Sequence, residues 1–582
     1  MISKEGKYGN FKVAVYCTVH DINRMADSTW LENSFKVLSK SIPITKVYLE
    51  TLGGGTVVDK GLMLKVKSFF KDKGVETSGA MATSGGGSRS LCYSKPSDRK
   101  MLEDVVKYTA EVFDEIIFDD WLFTSCKCEA CVEAKGDRSW TEHRLKTMED
   151  VAENVIVKTA KAVNPKVNLI IKYPNWYEHY QFLGYSLDFE SRLFDMIYTG
   201  TETRDAEYTH QHLQEYQSYA IMRFLENVKP GRNGGGWVDP LARRYLDRFS
   251  EQIRLTLFAK AKEVTLFCYS LLLEPLKQNG TSIPASTIAP VVGRVFEDMD
   301  SLIGKLGQPY GVKSYKPFNS SGEDFLHNYI GMLGIPIEIT PRFPESNETV
   351  FLTECAKFDN AIIDKTKKHL VNGGNVIITS GFVKAMQNEV IREFAEVTYT
   401  GGKIITKDFS LGMFVFGDVY HSDVEIVIPH LKYPTNDVWE LITCLSRGNG
   451  YPLLMSMNYG RGVLYILTIP DNFNDLYHLP PEVLNGVRKA FSKNLKAYLE
   501  GPSRVCIFLY DNDTLILHSF LQHACEARVA VKGKGLKMRE LTSTYGFGSF
   551  RMKEVIDGFE REGETVFHVY LQPYSYRAFK VE

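Results

Sequence analysis

The sequence predicts an α/β fold: a closed (β/α)8 barrel, then a smaller Rossmann-like α/β domain of glutamine-amidotransferase type, then a small β-sandwich. Three observations lead there. A chain of 582 residues exceeds the size at which one hydrophobic core stops growing, so several domains are needed. Up to about residue 270, eight β-rich runs alternate with stretches that repeat apolar residues at helical spacing. Eight such units over ~250 residues match the count and length of a barrel whose parallel strands are covered by helices. An open doubly wound sheet is the competing arrangement.

The eight runs are FKVAVYCTVH (11–20), TKVYLE (45–50), VETSGAMA (75–82), EIIFDD (115–120), VNLIIKYP (167–174), FDMIYTG (194–200), NGGGWVD (233–239) and EVTLFCYS (263–270). Helical candidates between them include RKMLEDVVKYTAEVF, MEDVAENVIVKTAKAV and LARRYLDRFSEQIRLTLFAKA. The barrel is placed at 1–310. The Rossmann-like domain, expected to hold an open parallel sheet, is placed at 311–498. The last part, 499–582, consists of short alternating runs such as RVCIFLYDNDTLILHSF, with DND as a hairpin turn. In the middle domain, VNGGNVIITSG lacks the glycine pattern of a dinucleotide loop, and Gly373 reads as a helix terminator.

Composition narrows the partners. Lys and Arg (69) nearly balance Asp and Glu (71), and no basic run carries interleaved aromatics, which argues against nucleic acid. No apolar run reaches the roughly 18 residues that would span a membrane. The start, MISKEGKYGNFKVAVY, has no apolar leader core. Most of the ten cysteines (Cys17, Cys268, Cys355, Cys444 and Cys506 among them) sit singly in apolar runs, as buried thiols of a reducing compartment do. A cytoplasmic protein is expected, with a removed leader left open.

In such a barrel the chemistry lies at the C-terminal ends of the strands. The polar residues there are His20 after strand one, Glu50 after two, Asp119 and Asp120 after four, Lys172 after five, Glu202, Arg204 and Asp205 after six, and Trp237 and Asp239 at seven. Carboxylates converging on one rim suit glycosidic hydrolysis, in which one group protonates the leaving oxygen and another attacks or activates water. Asp119 and Asp120 end an apolar strand and precede Trp121, whose indole can stack on a sugar. A helix N-cap explains one Asp but not the pair. Asp239 stands before a helix and reads equally as its cap, while the glycines of NGGG would let substrate approach the backbone. Arg204 would grip a substrate or pair with Asp205. Cys126, Cys128 and Cys131, with Cys92 as the fourth ligand, have the spacing of a closed four-thiolate structural zinc site. No organic cofactor is expected.

At these residues the chain resembles a glycoside hydrolase related to the family 42 β-galactosidases. The resemblance rests on two polar residues ending strand four, a Cys-x-Cys-x-x-Cys a few residues on, the order of domains, and QIRLTLFAKAKEVTLFCYS. It implies a glycosidase acting on a carbohydrate, exo-acting on an oligosaccharide or glycoside, and a homo-oligomer, trimer or dimer, built through the middle domain. The family's catalytic glutamates after strands four and seven match Asp120 and Asp239, both aspartates here. An alternative takes Asp120 as the nucleophile of a retaining α-glycosidase, with the acid from strand six, Glu202 or Asp205. A carbohydrate-binding barrel without catalysis and a metal-dependent hydrolase are the other readings. The latter has only His210 and His212 in HQH to offer.

Overall fold

The computed structural model describes residues 8–83, 91–207, 213–241, 246–278, 281–412, 418–542 and 555–582. It divides into two compact units, Met1–Gly304 and Lys305–Glu582. In the first unit all eight expected strands form: β1 (Lys12–Cys17), β2 (Lys46–Gly53), β3 (Glu76–Met81), β4 (Glu115–Phe118), β5 (Asn168–Tyr173), β6 (Met196–Gly200), β7 (Asn233–Val238) and β8 (Glu263–Phe267). Each is parallel to its neighbours, and β1 pairs with both β2 and β8, which closes the ring.

Inward-facing Ala14, Tyr16, Tyr48, Ala80, Ile117, Ile170, Tyr198 and Trp237 pack into one cluster. Small alanines offset large rings, so the interior is filled rather than hollow. At the N-terminal end of the barrel, Lys46 pairs with Glu115 and, at 3.6 Å, with Glu263, whose Oε1 accepts hydrogen bonds from Tyr48 at 2.8 Å and Tyr198 at 3.1 Å. That plug makes the opposite rim the floor of a cup and not the mouth of a channel.

The expected helices flank the strands, among them Pro96–Val112, Gln217–Val228 and Leu246–Phe258. Ser139 starts Trp140–Asp150 with a reciprocal capping box to Glu142. The glycines of β7 serve packing, not substrate. A Cβ on Gly235 would come within 2.2 Å of the Glu263 carbonyl, and one on Gly236 within 2.3 Å of Thr256.

The second unit holds a nine-stranded sheet. Its parallel half runs Ile337–Thr340, Val312–Tyr315, Thr349–Leu352, Asn375–Thr379, Gly462–Leu467. Four antiparallel strands, 449–459, 439–446, 398–411 and 419–432, extend it, so the expectation of a purely parallel sheet is corrected. They mix exposed and buried residues, alternating over short stretches such as 439–442, which an antiparallel ladder with one wet face permits. Gly373 has φ +96° just past the helix Ile362–Val371, as its terminator role requires. Among the described residues the C-terminal part forms two antiparallel sheets, as expected of a β-sandwich, one of four strands and one of five joined by Pro309–Tyr310 as a sixth. Val505–Tyr510 and Thr514–Ser519 pair around Asp511, Asn512 and Asp513, the last at φ +61°.

Candidate active site

The chain turns sharply where β4 ends. The Asp119 amide still donates to Met81 O at 2.9 Å, and Asp119 Oδ1 then accepts from the Asp120 amide at 2.7 Å. Asp119 is thereby buried, whereas the Asp120 side chain, 24% exposed, opens into a cavity of about 430 Å3.

Lys172, next to last in β5, points into the same space. Its Nζ donates to Asp120 Oδ2 at 2.8 Å and to Asp119 Oδ1 at 3.2 Å, and lies 3.0 Å from Glu202 Oε1. The ammonium also stands 4.1 Å from the centre of the Trp237 ring. A lone ammonium 2% exposed would be unstable as a cation, but three carboxylates around it reverse that. Burial favours the neutral amine, yet Asp120, Glu202 and Asp119 hold Lys172 protonated above its usual range.

The three acids respond in opposite directions. Burial pushes Asp120 up, but the Lys172 ammonium overrides this and holds it below the usual carboxylate range. Asp119 is driven well above that range by burial, with the Asp120 charge adding to it. Glu202 is lifted to about 7 by burial, against the pull of Lys172. Its Oε2 is buried with no hydrogen-bond partner among the described residues. The rim therefore offers an ionised carboxylate and a protonated one on either side of a single cation.

Asp239 is held differently. Arg204, at φ +56°, donates from Nε at 3.1 Å and from Nη2 at 2.8 Å, and the Leu241 amide donates to Oδ1 at 2.9 Å. Arg204 thus pairs with Asp239 instead of Asp205, while the start of the helix that Asp239 was expected to cap lies in residues 242–245, outside the described residues. Asp205 accepts from the Glu207 amide at 3.0 Å within its own loop.

The cavity brings together Asp119, Asp120, Trp121, Lys172, Glu202, Arg204, Trp237 and Asp239 from the expected residues. It leaves three of them out, one being Asp205, whose carboxylate turns back on its own loop. His20 is exposed on the helix Val19–Arg24, because Thr18 ends β1 with a capping box to Asp21. Glu50 is buried, accepting from Tyr16 Oη at 2.8 Å and the Val19 amide at 2.7 Å. Sequence reasoning missed Phe123, Asn175, Trp176 and Leu183, which also line the cavity. Asn175 Nδ2 donates to Glu202 O at 2.6 Å. The PNW that follows β5 was the visible signal for two of these.

The four cysteines converge as expected. Sγ of Cys92 is 3.4 Å from Cys131 and 3.5 Å from Cys128, those two are 3.7 Å apart, and all four sulfurs lie within 4.8 Å. Sulfurs on a tetrahedron with bonds of about 2.3 Å stand roughly 3.8 Å apart, so the cluster fits a metal ion. Lys127, Lys135 and Arg144 gather over the Trp140 ring at 5.3–5.7 Å, supplying positive charge beside the thiols. Among the described residues no other group of this kind is found, and His210 and His212 lie outside them.

The family described as "Probable glycosyl hydrolase, catalytic domain" matches residues 2–289, and "Probable glycosyl hydrolase, C-terminal domain" matches 496–581. The chain is a glycoside hydrolase. The hydrolase also matches "Uncharacterized protein SSO3021, second domain" over 307–472. The full SSO3021 of Saccharolobus solfataricus is 25% identical over 512 residues, covering 79% of this chain and 82% of that protein. The fold is shared with the β-galactosidase of Bacillus circulans sp. alkalophilus (10% identity, TM-score 0.64, 99% of this chain and 100% of that one). It is shared too with Gan42B, a GH42 β-galactosidase of G. stearothermophilus (11%, 0.65, 100% of each). The exo-β-1,4-mannosidase Op5Man5 of an Opitutaceae bacterium is more distant (9%, 0.54, 80% of this chain and 94% of that one). At such identities the likeness is one of fold. No helix among the described residues is long and apolar enough to cross a membrane.

Proposed function

We propose that the hydrolase is an exo-acting, retaining glycosidase in which Asp120 is the nucleophile and Glu202 the general acid and base. One observation carries this reading: Lys172 Nζ lies 2.8 Å from Asp120 Oδ2 and 3.0 Å from Glu202 Oε1. Two oxygens so placed are no more than roughly 6 Å apart, near the ~5–5.5 Å of retaining pairs and short of the 6.5–9.5 Å of inverting ones. The opposed proton affinities assign the roles. Asp120 attacks the anomeric carbon as the bond to the leaving oxygen breaks, and Glu202 gives its proton to that oxygen. Water then adds to the anomeric carbon, Glu202 takes its proton, and Asp120 leaves as carboxylate. Lys172 bridges the two acids and holds both in place. Strand four thus supplies the nucleophile and strand six the acid, as in the α-glycosidase alternative, and Asp239 with Arg204 is left to bind the sugar.

Proton NMR of the first-formed product tests this, after a panel of α- and β-nitrophenyl glycosides has found a substrate. Retained configuration is expected, and inversion would exclude the assignment.

The Cys92, Cys126, Cys128 and Cys131 site is proposed to hold a structural zinc, since four thiolates select a soft ion and leave no open position for water. Ten free cysteines accord with a reducing cytoplasm. A homo-oligomer is proposed from the family resemblance.

A further inference from the structure

The segment from Asp119 to Cys131 carries two kinds of side chain that the barrel has no need to place together. Its first part gives Asp120, Trp121 and Phe123 to the cavity, and its second part gives three of the four thiols. Between β4 and the helix Glu129–Lys135 it has no regular structure. An irregular loop keeps its shape only through the bonds that tie it down.

Those ties fall into two groups. Near the strand, the barrel itself holds Asp120, whose carbonyl accepts from Tyr185 Oη at 2.6 Å and whose carboxylate is held by Lys172. Further along, the ties are sparse. Thr83 donates to Trp121 O at 2.8 Å, the Thr124 amide to Leu183 O at 3.0 Å, and Arg144 to Phe182 O at 2.6 Å and Ser125 O at 3.5 Å. Phe123 stacks at 5.8 Å on Trp121 and meets Trp176 edge-on at 6.0 Å, forming one aromatic wall of the cavity. The far end of the loop is gathered by the sulfurs, with Cys92 reaching in from the loop after β3, beside the Lys127 contact to the Trp140 ring at 5.6 Å. Thiols by themselves make only weak hydrogen bonds, so this anchor is strong only when an ion joins them.

We infer that Cys92, Cys126, Cys128 and Cys131, when loaded with metal, position the Trp121–Phe123–Trp176 wall, so that the site sets substrate affinity and not the rate of bond cleavage. This rests on the zinc reading above. The catalytic pair stands just beyond β4 and β6, is bridged by Lys172 of β5 and is tied through the Asp120 carbonyl to Tyr185, so it keeps its geometry when the loop loosens. The wall does not. The cysteines are therefore positioning residues for binding.

The test uses the full chain as purified, with metal content measured, then stripped with dipicolinate and reloaded with zinc chloride. Hydrogen exchange is followed by mass spectrometry, beside steady-state kinetics on whichever nitrophenyl glycoside is turned over. Stripping is expected to speed exchange in 121–131 by roughly tenfold while 119–120 and 168–173 stay unchanged. KM should rise roughly tenfold with kcat within about twofold, the pattern of lost uniform binding. Zinc should restore both, and Cys128→Ser should behave as the stripped protein. Unchanged exchange and KM in verified zinc-free protein would overturn the inference while leaving the metal site standing, as would a fall in kcat at constant KM. A reloaded chain that retains no zinc overturns the metal reading itself, and the inference with it.

Discussion

Arg204 reaches from beyond β6 to grip Asp239 beyond β7, with its Nε and Nη2 both on the carboxylate. Arg204 and the Leu241 amide between them engage both oxygens of Asp239, whereas Lys172 engages Oδ2 of Asp120, so Asp239 is the poorer nucleophile of the two. Asp239→Asn is therefore expected to raise KM with kcat lowered by no more than roughly tenfold. Asp120→Asn should lower kcat by roughly a thousandfold or more with the fold intact. Kinetics and circular dichroism on both variants check this; the reverse ranking would return the nucleophile to β7.

The acid limb and the base limb of the rate profile belong to different residues. Glu202 must carry a proton to act as acid, and burial lifts it to about 7. Activity as kcat/KM should therefore fall as pH rises through about 7, whereas Asp120, held below the usual range, stays ionised until far lower pH. In Glu202→Gln the fall above 7 should vanish. Glycosides with poor leaving groups should then slow by at least about a hundredfold more than nitrophenyl ones. A profile whose upper limb survives the substitution would sink the role of Glu202.

Gly200 ends β6 with no side chain because the acid needs the room. A Cβ there would lie 2.6 Å from Glu202 Oε2 and 3.1 Å from Tyr173 O. Gly200→Ala should displace the carboxyl and cost kcat roughly tenfold to a hundredfold, with a melting temperature close to that of the parent. Wild-type turnover in this variant would show that Glu202 has slack.

Stability should carry its own pH signature through Glu190. This carboxyl is wholly buried, its Oε1 has no partner, and burial lifts it to about 8. The unfolded chain releases this proton near pH 4.3 while the folded chain keeps it. Its contribution is thus complete below about 4.3 and is lost progressively as pH rises to about 8. Glu190→Gln should raise the melting temperature by at least about 2 °C more at pH 8 than at pH 5. Equal shifts at the two pH values would count against it.

Much of the barrel was legible because each strand is a short apolar run, and EIIF, LIIK and VTLF announce themselves without help from neighbours. Asp119 and Asp120 were legible for the same reason, since an acid pair that ends such a run has to sit on the rim. The role of Lys172 was not. A lysine at a strand end reads as a substrate contact, and only closure of the ring shows three carboxylates from two other strands meeting it. Glu50 and His20 share the rim pattern, but Tyr16 claims the first and a helix cap turns the second outward. In the middle domain, TGGKIITKDFSL and VYHSDVEIVIPHLK carry no clean period, with Ile404 and Ile405 adjacent and Ile426 to Ile428 consecutive, so their antiparallel pairing was not legible.

The meeting of cations and acids in the cup has an effect at longer range. Each cation of the cup stands against a carboxylate, Lys172 against Asp120 and Arg204 against Asp239, on a protein whose formal net charge is only −2. Paired in this way, the two cations contribute little to steering a substrate in from solution. Encounter with an uncharged sugar should proceed at the same pace in dilute buffer and in strong brine.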